Sequence, residues 1–221
     1  MNKLNYRKMT QNLGKKTQRI TALLAVVLLL ASGFALLPAS AAEYTDNYIV
    51  QKGDSLWKIA VKYQVGLSEI IAANPQFENP ALIYPNDKVY VPLNDKTVLS
   101  FEEQVIALVN QERAAIGLAP LAANWELSRI ARYKSQDMHD KNYFSHTSPT
   151  YGSPFDMIKN FALSYRAAGE NIAKGQTTPQ QVMNAWMNSP GHRANILNAS
   201  FKEIGVGYVA SGHYWTQMFI G

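Results

Sequence analysis

Apolar residues along this chain follow a helical period in some segments and form short continuous runs in others. Four apolar positions between Leu56 and Tyr63 recur with a period of 3.6 residues, which predicts an amphipathic helix. Asp54 or Ser55 can serve as its N-cap, and Gly66 is expected to end it.

Two short β-like runs enclose this helix and a second one. Tyr48-Ile49-Val50 precedes the first helix, and Val89-Tyr90-Val91 closes the region. A helix that begins at Ser68 is expected to end at Asn74-Pro75. Residues 47–93 are therefore predicted to form a small unit with the order strand, helix, helix, strand.

A short polar linker at residues 94–100 is predicted to lead into a second domain, residues 101–221. Its helix-start signals are the capping box Ser100-Phe101-Glu102-Glu103, the N-cap Asn124 and the pair Thr178-Pro179. Its β-rich runs are Ile204–Val209 and Tyr214–Ile220. Helices outside a small antiparallel sheet are the simplest architecture for this order, so the predicted fold class is α+β.

The first 41 residues have the pattern of an export signal. Residues 1–19 contain six basic residues and no acidic residue. The segment from Ile20 to Leu37 is uncharged and largely apolar, and Pro38 then precedes Ala39-Ser40-Ala41. This small-x-small motif predicts cleavage after residue 41, with membrane contact only during export. An uncleaved anchor is the alternative, because about 18 apolar residues nearly span a bilayer.

Charge and cysteine content narrow the function classes. Of the 21 basic residues, six lie in that segment, which leaves 15 against all 16 acidic residues. The rest of the chain is close to neutral, so the electrostatic basis for nucleic-acid binding is missing. The chain has no cysteine, which excludes disulfides, a thiolate nucleophile and a cysteine zinc site.

Residues 47–93 resemble a LysM module over their whole length. The motifs are QKGDSLWKIAVKYQV, the Asn74-Pro75 pair and LIYPNDKVYVP. The resemblance implies binding of glycans that contain N-acetylglucosamine, such as peptidoglycan or chitin, in a groove between the first strand–helix loop and the second helix–strand loop. Carried onto this chain, the groove residues are Gly53, Asp54, Ser55, Leu56, Pro80, Leu82, Ile83 and Tyr84.

Some of these residues have a second interpretation. Loop amides can hydrogen-bond an N-acetyl group while apolar side chains cover the sugar face, which favours ligand contact for the loop residues. Leu56, Ile83 and Trp57 can instead form the core of a very small domain. Trp57 falls inside the predicted helix, so we assign it to the core.

Three blocks in the second domain carry candidate chemistry: Phe144-Ser145-His146, Gly169-Glu170-Asn171 and Gly191-His192-Arg193. Each pairs a ligand or acid/base side chain with a small or turn-forming neighbour. Two imidazoles and a carboxylate in one cleft can bind a divalent metal or move a proton. They can equally form a buried polar network that stabilises the core.

Residues 101–220 resemble the CAP superfamily (cysteine-rich secretory, antigen 5, pathogenesis-related 1) in a cysteine-free bacterial form. The motifs are LVNQERAAIGLAPL, YFSHTSP, AAGENIA, AWMNSPGHRANIL, EIGVGY and YWTQMF. The resemblance implies an α-β-α sandwich with a cleft of two histidines and two acids. His146, Glu170 and His192 match the first histidine, the first acid and the second histidine, whereas Ser189 stands where the second acid belongs.

The resemblances leave two functions open. The first is a secreted, cell-wall-associated protein that binds peptidoglycan through LysM and uses the CAP cleft for recognition. The second is a hydrolase of wall or peptide bonds, in which His146, Glu170 and His192 activate water with zinc or calcium held by the two histidines. The missing acid at Ser189 favours the first. Assembly into a spore coat or cortex is a narrower alternative.

The neighbours of the three blocks have expected roles as well. Glu170 can cap a turn or bind loop amides, and Arg193 is expected to brace Glu170 or a backbone carbonyl. Ser189 near a histidine is a conceivable nucleophile, although Ser189-Pro190-Gly191 also has the pattern of a helix end and turn. Residues expected outside the cleft are His139 on a helix flank, His213 on a hairpin tip, and Tyr214, Trp215 and Phe219 in sheet packing.

Overall fold

The computed structural model describes residues 44–221, and the export segment predicted for residues 1–41 lies outside them. Over the described residues, none of the helices combines the length and the apolar composition that crossing a bilayer requires. The first domain consists of β1 (Tyr44–Ile49), α1 (Leu56–Tyr63), α2 (Leu67–Ala73) and β2 (Lys88–Leu93). Its two strands pair antiparallel, which confirms the predicted order of strand, helix, helix, strand.

The ends of the two short helices are formed by different residues from those expected. Ser55, not Asp54, is the N-cap of α1, and its hydroxyl accepts a hydrogen bond from the Lys58 amide. The helix ends at Gln64, which takes a left-handed conformation with φ of 54°. Gly66 instead occupies the N-cap position of α2, so its predicted role as the end of α1 is wrong.

The second domain begins earlier than the sequence pattern indicates. Helix α3 spans Lys96–Ala115, and the N-cap Asp95 accepts hydrogen bonds from two backbone amides of its first turn. The capping box predicted at Ser100–Glu103 is therefore wrong. Ser100 and Glu103, the two ends of that box, lie inside α3 rather than at its first turn. Most of the predicted linker is thus helical.

The remaining elements alternate helices and short strands. They are β3 (Ala122–Ala123), α4 (Trp125–Asp140), α5 (Pro154–Asn160), β4 (Ala168–Lys174), α6 (Pro179–Met187), α7 (Pro190–Ile196), β5 (Glu203–Val209) and β6 (Tyr214–Ile220). Asn124 and Thr178 cap α4 and α6, as predicted. The sequence pattern did not predict α5, β4 or α7, and Ser189 occupies the N-cap position of α7.

Four strands form one sheet in the order β3-β5-β6-β4. Strand β6 pairs antiparallel with β5, as the two β-rich runs predict, and also with β4, while the two-residue β3 pairs parallel with β5. This order leaves β4 at an edge of the sheet. The edge position matters because β4 carries Glu170 and Asn171.

Helices cover both faces of this sheet. Residues of α3, α6 and α7 pack with Trp215 in one buried cluster, and residues of α4 and α5 pack with Met218 in another. Positions 215 and 218 of β6 point to opposite faces, because side chains alternate along a strand. The domain is therefore an α-β-α sandwich, and Tyr214, Trp215 and Phe219 are buried in it as expected.

Candidate functional site

His146 and Glu170 form a direct pair at the edge of the sheet. Glu170 lies on strand β4 rather than in a turn, and only 1% of its side chain is exposed. His146 lies in the loop that follows α4, and 55% of its side chain is exposed. Its Nδ1 donates to Oε1 of Glu170 at 2.7 Å, so Nε2 is the imidazole atom left for a ligand.

The second carboxylate oxygen of Glu170 has no protein partner. Oε2 is buried and makes no hydrogen bond within the described part of the chain. Burial raises the pKa of Glu170, while the hydrogen bond from His146 and the charge of Lys134 act in the opposite direction. The hydrogen bond to Glu170 in turn raises the pKa of His146. A buried acceptor without a donor is costly, so this oxygen is suited to a ligand that brings an N–H or O–H group.

A buried charged cluster lies beneath His146. Lys134 of α4 is 1% exposed, and its Nζ donates to the backbone carbonyl of His146 at 2.8 Å and to the Tyr143 hydroxyl at 3.3 Å. The hydroxyls of Tyr143 and Ser148 both donate to Oδ2 of Asp137 at 2.6 Å. These contacts tie the loop that carries His146 to one helix.

Sequence reasoning missed this cluster. Lys134 and Asp137 are three residues apart on α4, on the same side of the helix as the buried Ala131 and Met138. The sequence did contain a signal for this cluster, because these charged residues occupy positions that continue the apolar stripe of α4. Burial lowers the pKa of Lys134, and the nearby carboxylates of Glu170 and Asp137 partly offset that effect.

Helix α7 brings the second histidine to the same edge. Nδ2 of Asn171 donates to the backbone carbonyl of His192 at 3.1 Å. Nδ2 of Asn195 donates to the backbone carbonyl of Glu170 at 3.1 Å and to Oδ1 of Asn171 at 2.9 Å. Burial lowers the pKa of His192, and the nearby imidazole of His146 lowers it further. The structure thus gathers the three predicted residues around β4.

Two neighbours do not behave as expected. Arg193 is exposed, and within residues 46–221 its guanidinium donates no hydrogen bond to Glu170 or to a backbone carbonyl, so the predicted brace is wrong. Asn195, one helical turn away from His192, binds the Glu170 backbone instead. Over the same residues, no hydrogen bond joins Ser189 to either imidazole, which leaves its hydroxyl without the base that a nucleophile needs.

The donors at this site do not fit a zinc or calcium ion held by the chain alone. Within residues 44–221, no three histidine, aspartate or glutamate side chains are grouped as a metal ion requires. Oε1 of Glu170 is engaged by His146 and Oε2 is buried, which leaves the two imidazoles as the partly exposed donors of the expected set. Catalytic zinc takes three protein ligands, and calcium takes oxygen ligands.

A second candidate site lies on the first domain, where two loops run side by side. The Val50 amide donates to the Asp87 carbonyl, and the Asn86 amide donates to the Val50 carbonyl, both at 2.9 Å. The loop after β1 is closed by Asp54, whose carboxylate accepts from the Gln51 amide at 2.8 Å. The two loops predicted to form the groove are therefore neighbours.

The groove residues divide into exposed and structural ones. Gly53 is exposed, and a side chain at that position would meet no atom within 4 Å. Leu82 and Tyr84 are 55% and 63% exposed, while Pro80 and Ile83 are half-buried. Asp54 and Ser55 hold the first loop and cap α1.

Leu56 and Trp57 exchange the roles expected of them. Leu56 is 2% exposed, so its side chain belongs to the core and is not available to a ligand. Trp57 is 60% exposed, so its assignment to the core is wrong. The helix turns by about 100° per residue, and the face that buries Leu56, Ile59 and Ala60 leaves position 57 outside.

Comparison with known proteins matches both domains. Residues 48–92 match the LysM domain model, and residues 106–219 match the model of the Cysteine-rich secretory protein family (CAP). YkwD of Bacillus subtilis (strain 168) is 63% identical over 125 residues, which are 57% of this chain and 49% of YkwD. SpoIVD-associated factor A of the same organism is 58% identical over 45 residues, which are 20% of this chain and 12% of that protein.

A solved structure supports the same assignment. The extracellular SCP-domain protein of Bacillus anthracis has a TM-score of 0.54 and 35% identity, and the match covers 62% of this chain and 47% of that one. The matches thus span about half, or less, of the length of these relatives. The CAP match alone covers more than half of the present sequence. The chain therefore belongs to the Cysteine-rich secretory protein (CAP) family and carries a LysM domain ahead of its CAP domain.

Proposed function

We propose that this protein is secreted to the cell wall, where its LysM domain binds a glycan containing N-acetylglucosamine, such as peptidoglycan, and its CAP cleft recognises a second ligand. The observation that carries the glycan proposal is the pair of adjacent loops, in which exposed apolar side chains lie beside solvent-accessible backbone groups. Pyranose rings present apolar C–H faces and hydrogen-bonding N-acetyl groups, and this surface matches both.

The exposed side chains have no structural role that explains them. Burying a large apolar side chain stabilises a protein by about 1.5–3 kcal/mol, so a domain this small gains nothing from leaving Trp57, Leu82 and Tyr84 in solvent. A ligand that covers them recovers that free energy. Trp57 is the second residue of α1, the helix that follows the loop containing Gly53, and Tyr84 lies in the loop paired with it.

Isothermal titration with a soluble N-acetylglucosamine oligomer tests the glycan proposal. We expect Tyr84→Ala and Trp57→Ala each to weaken binding about tenfold, which corresponds to about 1.4 kcal/mol. Tyr90→Ala is the matched control, because Tyr90 is also exposed but lies on β2 outside the two loops. Absence of binding by the unaltered protein to both the oligomer and purified peptidoglycan would refute the proposal.

The proposed location at the cell wall is also inferred from the LysM domain. The match to SpoIVD-associated factor A is confined to 45 residues, so it supports a shared glycan-binding module more than a shared spore assembly role. Assembly into a spore coat stays the alternative. Fractionation of growing cells and of spores distinguishes the two locations.

For the CAP cleft we propose ligand recognition through Glu170 and His146. The buried Oε2 of Glu170 lacks a donor, and His146 is half-exposed above it. A ligand that offers an N–H or O–H group to Glu170 and an acceptor to Nε2–H of the protonated His146 ring would satisfy both.

A second candidate function is acid–base hydrolysis of wall or peptide bonds without a resident metal. It is favoured by the 2.7 Å bond from His146 to Glu170, because a carboxylate on Nδ1 orients an imidazole to take a proton at Nε2. Release of soluble fragments from peptidoglycan, lost in His146→Ala, would establish hydrolysis. Binding of wall fragments without any release would favour recognition.

A further inference from the structure

A single acidic side chain joins the LysM domain to the CAP domain. Glu69 lies on α2, and its carboxylate accepts a hydrogen bond from the Tyr133 hydroxyl of α4 at 2.5 Å. Nη1 of Arg129, one turn earlier on α4, lies 3.2 Å from Oε1 and 3.3 Å from Oε2 of Glu69. Ser68 completes the set with a hydrogen bond to Oε2 at 2.7 Å.

The CAP side of this contact is held in place by its own packing. The guanidinium of Arg129 lies over the rings of Tyr133 and Phe161, at 5.7 and 5.4 Å from their centroids. The Tyr133 and Phe161 rings are themselves 5.4 Å apart. Arg129 and Tyr133 are therefore already positioned for a carboxylate, which lowers the entropy lost on contact.

The Glu69 carboxylate is stabilised as an ion in this position. Burial alone would raise its pKa, but the hydrogen bonds from Tyr133 and Ser68 and the charge of Arg129 hold the pKa below its usual value. An acid taken out of water in this way contributes to the contact only because its partners compensate for the lost hydration.

Gly66 lies beside this contact. It is buried, and a Cβ at that position would lie within 3 Å of the ends of the Glu69 and Arg129 side chains. Its φ of −75° is ordinary for any residue, so the backbone does not require glycine there. The absence of a side chain at position 66 leaves room for the ends of both charged side chains.

The covalent junction between the two domains is also short. Strand β2 ends at Leu93 and helix α3 begins at Lys96, which leaves two residues between them. One of the two, Asp95, caps α3 through the amides of Thr97 and Val98. A junction of two residues with one fixed by capping lacks the length of a flexible linker.

We propose that the LysM and CAP domains form one rigid body, with α2 docked on α4 through Glu69, rather than two modules on a tether. The glycan groove then has a fixed orientation relative to the His146–Glu170 cleft. This inference does not depend on glycan binding, since it concerns the free protein.

Amide ¹⁵N relaxation of the protein tests the proposal. We expect one rotational correlation time for amides of residues 48–92 and 106–219. In Glu69→Ala the LysM amides should show a shorter correlation time than the CAP amides, because the two-residue junction alone then restrains the smaller domain. Dispersed amide signals from both domains check that the variant is folded.

Two further variants make the outcome decisive. Arg129→Ala should also separate the tumbling rates, because it removes the cation that faces Glu69 across the contact. Glu78→Ala is the matched control, because Glu78 is an exposed acid of the same domain, and it should leave a single correlation time. Two correlation times in the unaltered protein, or a single one retained in both Glu69→Ala and Arg129→Ala, would overturn the proposal.

Discussion

The ion pair between Glu102 and Arg132 ties three elements of the CAP domain together through one buried charge. Nε and Nη2 of Arg132 donate to the Glu102 carboxylate at 2.7–2.9 Å, and the Tyr208 amide donates to Oε1 at 3.0 Å. The carboxylate therefore joins α3, α4 and β5. Its partners are distant in sequence, so no local pattern around Ser100 contains them.

Removal of this carboxylate should destabilise the CAP domain. We expect Glu102→Ala to lower the free energy of unfolding by about 3 kcal/mol, because it leaves the Arg132 guanidinium and the Tyr208 amide without their partner. Urea denaturation measures the change. Glu103→Ala is the control: Glu103 is exposed, and its loss should change stability by less than about 0.5 kcal/mol.

The two cleft histidines should titrate in a definite order. The bond to Glu170 raises the pKa of His146, whereas burial lowers that of His192. His146 is thus stabilised as an imidazolium, a contribution present below the ordinary histidine value and lost as the pH rises through the raised value. NMR titration of the imidazole protons should find His146 deprotonating last, and Glu170→Gln should lower its pKa. Deprotonation of His146 before His192 would contradict this account.

At the level of elements, local signals predicted most helices and the strands with continuous apolar runs. The caps Asn124 and Thr178 and the runs of β5 and β6 are local features, and the structure confirms them. Strand β4 was missed because its sequence, AGENIAK, places a charge and an amide in the middle. Those polar groups are buried against partners distant in sequence, which a local pattern does not contain.

Two glycines of β5 reveal how closely helix α4 approaches the sheet. A Cβ at Gly205 would lie within 3 Å of the backbone of Leu127 and Ser128, and one at Gly207 would meet the backbone of Ala131 and Arg132. Neither glycine has a positive φ. Both positions are therefore set by contact between backbones rather than by conformation.

Gly205→Ala should destabilise the protein for this reason. We expect a loss of about 2 kcal/mol or more in the free energy of unfolding, since backbone atoms of α4 have no room to move aside. Gly191→Ala offers a comparison in α7, where nothing lies within 4 Å of the added carbon. That change should be neutral or stabilising by up to about 1 kcal/mol. Equal thermal stability of both variants would contradict the close packing of β5 on α4.

At the level of the whole molecule, the sequence predicted which domains are present and the residues of the cleft, but not how the parts meet. His146, Glu170 and His192 were found from their motifs, while Lys134 and Asp137 were missed because they belong to a helix with an otherwise ordinary amphipathic pattern. Trp57 was assigned to the core because it falls inside the helix, although the face that carries Leu56, Ile59 and Ala60 leaves position 57 outside. The contact of Glu69 with α4 joins residues 60 positions or more apart, beyond any local signal.

The junction of the domains should resist proteolysis. Lys96 is exposed but lies in the first turn of α3, so trypsin should cleave after it slowly. Asp95→Ala removes the cap at about 1 kcal/mol, which should speed cleavage roughly fivefold if cutting follows local opening. Mass spectrometry of a timed digest measures both rates. Rapid cutting at Lys96 in the unaltered protein would show that the junction is a flexible linker after all.

The two-residue junction has a consequence for how this domain pair can be recombined. A LysM repeat from another protein would keep the proposed orientation only if it ended at the same distance from Asp95 and offered an acid where Glu69 stands. A repeat that lacked these features should still fold and bind its glycan, but it would carry the CAP domain loosely. The rigid-body proposal therefore predicts that exchange of the repeat preserves each fold and loses the fixed orientation.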